Sequence, residues 1–118
     1  PDELQRLWRD LFPGEPEPQA CLVNFYTDDA KMGLHQDRDE TNRTAPVLSV
    51  SLGNACLFRI GGTERRDPTQ SFRLESGDVM ALTGAARDAF HGVDRIYPDT
   101  SDLLKDGGRV NVTLRRVT

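Results

Sequence analysis

The sequence predicts a mainly β domain of jelly-roll or related barrel type, with one short helix at its N-terminal end. Three observations carry this reading. The segments "ACLVNFY", "APVLSVSLG", "ACLFRI", "SFRL", "DVMALTG" and "RVNVTLRRV" are short, rich in β-branched and aromatic residues, and often alternating. Gly, Asp, Asn and Pro punctuate them at fairly even spacing, as in sandwiches and barrels built from many short strands. Helical periodicity is confined to "DELQRLWRDLF" at the start of the chain.

In order along the chain, that first segment places Leu4, Leu7, Trp8 and Leu11 on one helical stripe, with Asp2 as a candidate cap. The prolines of "PGEPEP" forbid the helix to continue. Residues 1–19 are therefore expected to form a helix and a proline-rich turn ahead of the strands. "SLGN" and "ESGD" read as tight turns between strands. "DRIYPDTSDLLKDGG" is the longest irregular stretch and is expected to be a surface loop. No internal repeat or low-complexity segment breaks the pattern.

At 118 residues the chain is expected to be a single domain, 1–118, with one modest core. No apolar run approaches the length of a membrane span, so no membrane association is expected. Cys21 and Cys56 are isolated thiols, expected to fill core positions rather than pair, which fits a reducing, cytoplasmic compartment. The net charge of −4 argues against a general nucleic-acid binder. Much of that charge sits at the front, in Asp2, Glu3, Asp10, Glu15 and Glu17, so a local basic groove elsewhere remains open.

"GLHQDRDE" crowds a histidine, three carboxylates and an arginine into one stretch. On an extended strand His35 and Asp37 would share a face. A bare His-x-Asp is common by chance, and on its own it favours a solvated turn. The other histidine, His91 in "AFHGV", follows a strand-like segment and precedes a glycine that permits close backbone approach. Alone it reads as an ordinary packed histidine. Together, His35, Asp37 and His91 have the order of a two-His-one-carboxylate triad, which holds non-haem Fe(II) with positions left open. With the three residues combined, the two readings weigh evenly.

In "RVNVTLR", Arg109, Asn111, Thr113 and Arg115 alternate with Val110, Val112 and Leu114. The aliphatic set is expected to pack on a core. If the other set faced water, this would be an ordinary antiparallel strand. If it lined a barrel, the two guanidinium groups would need anions, because unpaired buried charge is costly. A dicarboxylate would satisfy both, and Arg is suited to bidentate carboxylate recognition. In "LVNFY", Asn24 and Tyr26 share a face and could reach the same acid; a half-buried strand with two polar tips is the equal alternative.

With these residues in place, the chain resembles the AlkB family of Fe(II)- and 2-oxoglutarate-dependent dioxygenases. The resemblance runs in order through "CLVNFY", "GLHQDRDE", "APVLSVSLGNACLFRIGG", "RRDP", "SGDVMAL", "FHGV" and "RVNVTLR". It implies a double-stranded β-helix, a jelly-roll relative. It implies that His35, Asp37 and His91 bind iron and form the catalytic centre. It implies that Arg109 and Arg115 hold 2-oxoglutarate with help from Asn24, Tyr26 and Asn111. It implies that Asp39 contacts the substrate base and that Arg65, or its neighbour Arg66, lies near the substrate nucleotide. The implied reaction is oxidative demethylation of N-alkylated bases of the 1-methyladenine or 3-methylcytosine type, in DNA or RNA. It would use O₂ and release formaldehyde, succinate and CO₂, in a monomeric enzyme of DNA repair. Two departures concern substrate recognition: the family's N-terminal lid region is expected to be absent, and Leu82 stands where an aromatic is expected. Rival readings are a 2-oxoglutarate oxygenase acting on a protein or small molecule, and a non-catalytic metal-binding β-barrel module.

Overall fold

The computed structural model describes residues 2–36 and 45–116. Helix α1 (Asp2–Leu11) leads into strands β1 (Ala20–Tyr26), β2 (Met32–His35), β3 (Val47–Gly53), β4 (Cys56–Ile60), β5 (Gln70–Leu74) and β6 (Val79–Leu82). A short 3-10 helix, Gly84–Asp88, then precedes β7 (His91–Ile96) and β8 (Arg109–Arg115). The strands form two antiparallel four-stranded sheets, ordered β1-β8-β3-β6 and β2-β7-β4-β5. This is the expected jelly roll. The two turns read from sequence are present. Gly53 and Gly77 both adopt positive φ, +87° and +93°, where a residue without Cβ is favoured. In the second turn Asp78 accepts the Glu75 N–H on its side chain at 2.7 Å.

Helix α1 covers one end of the first sheet's outer face. Trp8 is fully buried against Leu48 and Leu114, with Leu4, Leu7 and Phe12 around it. Its ring meets Phe12 edge-on at 4.9 Å and its indole N–H donates to the Pro16 carbonyl at 3.1 Å. Leu11 is exposed, contrary to the helical stripe read from sequence, and Phe12 takes its place beneath the helix end. The second core lies between the sheets, where Tyr26 meets Cys56, Phe58, Val93 and Ile96. Each fully buried aliphatic or aromatic side chain there contributes roughly 1.5–3 kcal/mol.

Three further expectations are corrected. Cys56 is a core residue, but Cys21 is exposed: it lies opposite Leu114 on the outer face of edge strand β1, where its face meets solvent. Both thiols are free. Asp94, Arg95 and Ile96 belong to β7, so the irregular stretch begins later and His91 opens a strand rather than following one. The aliphatic face of β8 is only partly in a core. Leu114 is buried under α1, whereas Val110 and Val112 are half-buried beside exposed Val23 and Phe25.

Candidate functional site

The inner faces of the two sheets enclose a cavity of about 250 Å³. Each sheet supplies a different chemistry to it. From the second sheet come the two histidines. Antiparallel pairing of β2 with β7 places His35 directly opposite His91, and their ring centroids are 4.5 Å apart. The close approach depends on Gly92. A Cβ at that position would sit 2.5 Å from the Met32 carbonyl oxygen and 2.9 Å from that of Gly33. The sequence reading of that glycine is thus met.

Each imidazole is oriented by its own backbone. His35 Nδ1 lies 3.1 Å from the Gly33 carbonyl and His91 Nδ1 lies 3.1 Å from the Ala89 carbonyl. A carbonyl oxygen only accepts, so each Nδ1 is the donor in these contacts, which leaves Nε2 as the ring nitrogen suited to a metal. Gln36 holds the segment after His35: its amide donates to the Thr63 carbonyl at 3.0 Å and to the Asp88 carbonyl at 2.7 Å. Arg65 also binds this corner together. Its guanidinium donates to the Leu34 carbonyl at 3.2 Å and stacks over Phe90, 4.7 Å from the ring centroid. It is exposed and sits beside the histidine strands rather than among the cavity-lining residues. Asp37 and Asp39 lie outside the described residues. Among the described residues no group of three His, Cys, Asp or Glu side chains converges. The paired Nε2 donors nonetheless fit a first-row metal such as Fe(II).

From the first sheet comes an anion grip. In β8 the set Arg109, Asn111, Thr113 and Arg115 faces the cavity, joined by Asn24 and Tyr26 of β1. The register explains the convergence, for Tyr26 pairs with Arg109 and Asn24 with Asn111. Arg109 is 1% exposed, and among the described residues its Nε and Nη1 have no hydrogen-bond partner. Its guanidinium carbon stands 5.9 Å from the Tyr26 ring centroid. A cation buried without a counter-charge is unfavourable by several kcal/mol, and an entering carboxylate would relieve that cost. Arg115, half-buried, lines the same cavity nearer the other end of the strand.

The same charge is felt by its neighbours. Burial pushes the Tyr26 phenol and the Cys56 thiol above their ordinary values, and Arg109 opposes the shift in both. Both groups therefore stay neutral at physiological pH. The Tyr26 hydroxyl donates to the Met32 sulfur at 3.6 Å. Ser49 donates to Asn111 Oδ1 at 2.9 Å, so the Asn111 amide presents N–H donors for any further partner. Ser49 and Gln36 were not singled out by sequence. The signal for Ser49 was the alternation of "VLSVSLG", the counterpart of the β8 pattern; Gln36 carried no signal beyond its place between His35 and Asp37.

Comparison with known proteins agrees with this geometry. Residues 1–115 match the family described as the 2OG-Fe(II) oxygenase superfamily. The chain is 60% identical over 116 residues to an alpha-ketoglutarate-dependent dioxygenase AlkB homolog of Caulobacter vibrioides, covering 98% of this chain and 53% of that protein. It is 42% identical over 100 residues to alpha-ketoglutarate-dependent dioxygenase AlkB of Escherichia coli, covering 85% of this chain and 46% of that one. A solved structure of OsALKBH1 superposes with a TM-score of 0.83 at 36% identity, over 98% of this chain and 64% of that chain. The chain thus spans about half the length of the bacterial relatives it matches. An oriented histidine pair, a buried arginine in the same cavity and a match along almost the whole sequence lead to one conclusion: the chain belongs to the 2OG-Fe(II) oxygenase superfamily, and within it is similar to the AlkB proteins.

Proposed function

We propose that the protein is an Fe(II)- and 2-oxoglutarate-dependent dioxygenase that removes alkyl groups from N-alkylated bases, such as 1-methyladenine and 3-methylcytosine, in DNA or RNA. The observation that carries this reading is the buried Arg109 guanidinium, whose Nε and Nη1 have no hydrogen-bond partner among the described residues and which shares a cavity with the His35–His91 pair. His35 and His91 would hold the metal through Nε2, with Asp37 as the third ligand. Arg109 would receive one carboxylate of 2-oxoglutarate and Arg115 would serve the other. Asn24, Tyr26 and Asn111 would donate hydrogen bonds to the same acid. When bound, the iron and 2-oxoglutarate supply the oxidising chemistry: O₂ is consumed, succinate and CO₂ form, and the hydroxylated methyl leaves as formaldehyde.

The rest of the work falls to the chain. The two Nδ1–H···O=C bonds fix the imidazole planes before any ligand arrives. Tyr26 and Cys56 are neutral at physiological pH, the more so for their burial, and leave the charge of Arg109 for the incoming acid. The target base must leave its stack to reach the cavity. Asp39 would favour a cationic ring over a neutral one, and Arg65 would lie along the nucleotide's path. Nucleic acid as substrate is supported by the names of two relatives, a DNA N(6)-methyladenine demethylase of Arabidopsis thaliana and a tRNA demethylase of Schizosaccharomyces pombe. The free thiols support a reducing, cytoplasmic compartment.

The test is formaldehyde release from oligonucleotides carrying 1-methyladenine or 3-methylcytosine, with Fe(II), with and without 2-oxoglutarate. Release that requires 2-oxoglutarate is expected. Succinate production unaffected by any oligonucleotide would instead favour a protein or small-molecule substrate, and no succinate at all would overturn the enzymatic reading.

A further inference from the structure

We propose that Asp28 and Asn54 form a clamp that positions Arg109, and so sets the affinity for 2-oxoglutarate without touching it. This rests on the reading of Arg109 as a 2-oxoglutarate ligand. The clamp acts on Gly108, the residue immediately before the buried arginine. Gly108 N–H donates to Asp28 Oδ1 at 3.0 Å, and its carbonyl accepts from the Asn54 backbone N–H at 2.8 Å. Both polar groups of this one peptide residue are thus held from outside its own strand.

The two clamping side chains also hold each other. Asn54 Nδ2 donates to the same Asp28 oxygen at 2.9 Å. Asn54 Oδ1 in turn accepts from the N–H groups of Thr100 and Ser101, at 3.2 and 3.1 Å. Asn54 is 2% exposed, so each of these bonds replaces a water that cannot reach it. Three separated segments therefore meet on one point: the connection after β1, the β3–β4 turn, and the turn at residues 97–101. Packing closes the remaining freedom. Gly108 has φ +90°, and a Cβ there would lie 2.7 Å from Phe25 Cζ and 2.8 Å from the Tyr26 carbonyl. The chain enters β8 along a path with no slack, and Arg109 is the first side chain to emerge from it.

Arg109 needs such a device. Among the described residues its Nε and Nη1 have no hydrogen-bond partner, so beyond the Tyr26 ring its aim comes from the backbone that carries it. Loosening Gly108 would let the guanidinium lean away from the cavity. It would weaken acid binding while leaving the histidines, on the other sheet, where they are.

The experiment titrates 2-oxoglutarate into the protein loaded with Mn(II) in place of iron, by calorimetry. Mn(II) affinity, thermal midpoint and KM against kcat are read alongside. Asn54→Ala is expected to raise the 2-oxoglutarate Kd and KM roughly tenfold, the scale of one lost buried hydrogen bond, with kcat and Mn(II) affinity unchanged. Asn54→Asp sets two carboxylates face to face and is expected to be worse. The exchange variant Asp28→Asn with Asn54→Asp restores a donor between the pair and keeps acceptors for Gly108, Thr100 and Ser101, so it is expected to return the Kd toward the starting value. A lowered midpoint with unchanged Kd in all soluble variants would overturn the clamp and leave a purely structural contact. Absence of 2-oxoglutarate binding by the unaltered protein would instead overturn the proposed function itself.

Discussion

The two sheets are built on opposite plans. The β2-β7-β4-β5 sheet follows the usual one: Phe58, Cys56 and Val93 point inward, while Arg59 and Asp94 pair on the outside at 3.3 Å and Arg73 and Arg95 flank the Tyr97 ring. The β1-β8-β3-β6 sheet is partly inverted, with polar side chains set beside Tyr26, Val47 and Leu82 on its inner face. Its polar set of Asn24, Ser49, Arg109, Asn111, Thr113 and Arg115 faces the cavity. On its outer side Val23 and Phe25 are 61% and 60% exposed. The first plan gives stability and holds two imidazoles on a firm apolar bed. The second spends inner surface on polarity, which is favourable only where a ligand completes it. The difference locates function: a sheet face that breaks the burial rule marks the part of the sandwich meant to hold something.

Removing a histidine from the conventional sheet should have the largest effect. His91→Ala is expected to cost at least about a hundredfold in metal affinity, since disturbing even the groups behind a ligand costs roughly 10–100-fold. Metal titration followed by calorimetry reads this directly, and an unaltered affinity would remove His91 from the centre. Next comes the inverted sheet. Arg109→Met should weaken 2-oxoglutarate binding by the worth of a charge-assisted bond, about 1.5–3 kcal/mol. The ligand-free protein should melt at the same temperature or higher, because a buried cation has been replaced by an apolar chain of similar volume. A ligand-free protein that melts lower would mean that Arg109 is structurally paired.

A third contrast lies on one face of the inverted sheet. Leu48→Ala, under Trp8, should cost about 2–5 kcal/mol in denaturant unfolding, whereas Val23→Ala, beyond the helix, should stay within about 0.5 kcal/mol. Similar losses would erase the distinction between the covered and bare halves. The smallest effect is the alkaline one. Burial raises the folded-state values of Cys56 and Tyr26 above the ordinary 9.0 and 10.0. The unfolded chain therefore ionises first. The stability these groups contribute is whole below those ordinary values and is lost as pH climbs through them toward the folded-state values. Chemical denaturation across that range should show the decline beginning near the thiol's value, and Cys56→Ala should remove its first part.

Much of this was legible in the sequence because the decisive patterns are local. Alternation in "RVNVTLR" placed both arginines, Asn111 and Thr113 on one face, and "ACLVNFY" did the same for Asn24 and Tyr26. Which face turned inward was not local information. The pattern alone would have buried Val110 and Val112, and a solvent-facing cationic ribbon was the ordinary alternative. Cys21 was misread for the same reason: apolar character suggests burial, but only the position of α1 decides which part of the outer face is covered. The Asp28–Asn54 clamp gave no sign, since its bonds join residues 26, 46, 47 and 80 positions apart. Two glycines in a row before β8, both at positive φ, were its only trace. Asp37 and Asp39 fall outside the described residues, so their expected roles stand on the resemblance.

Position 92 carries a consequence of its own. The imidazoles face each other because two backbones touch where a single carbon atom is missing. No other genetically encoded residue lacks that carbon. A codon change there could therefore disarm the metal pair while leaving both histidine codons intact, and a survey of inactive variants that inspects only the histidines would overlook the cause.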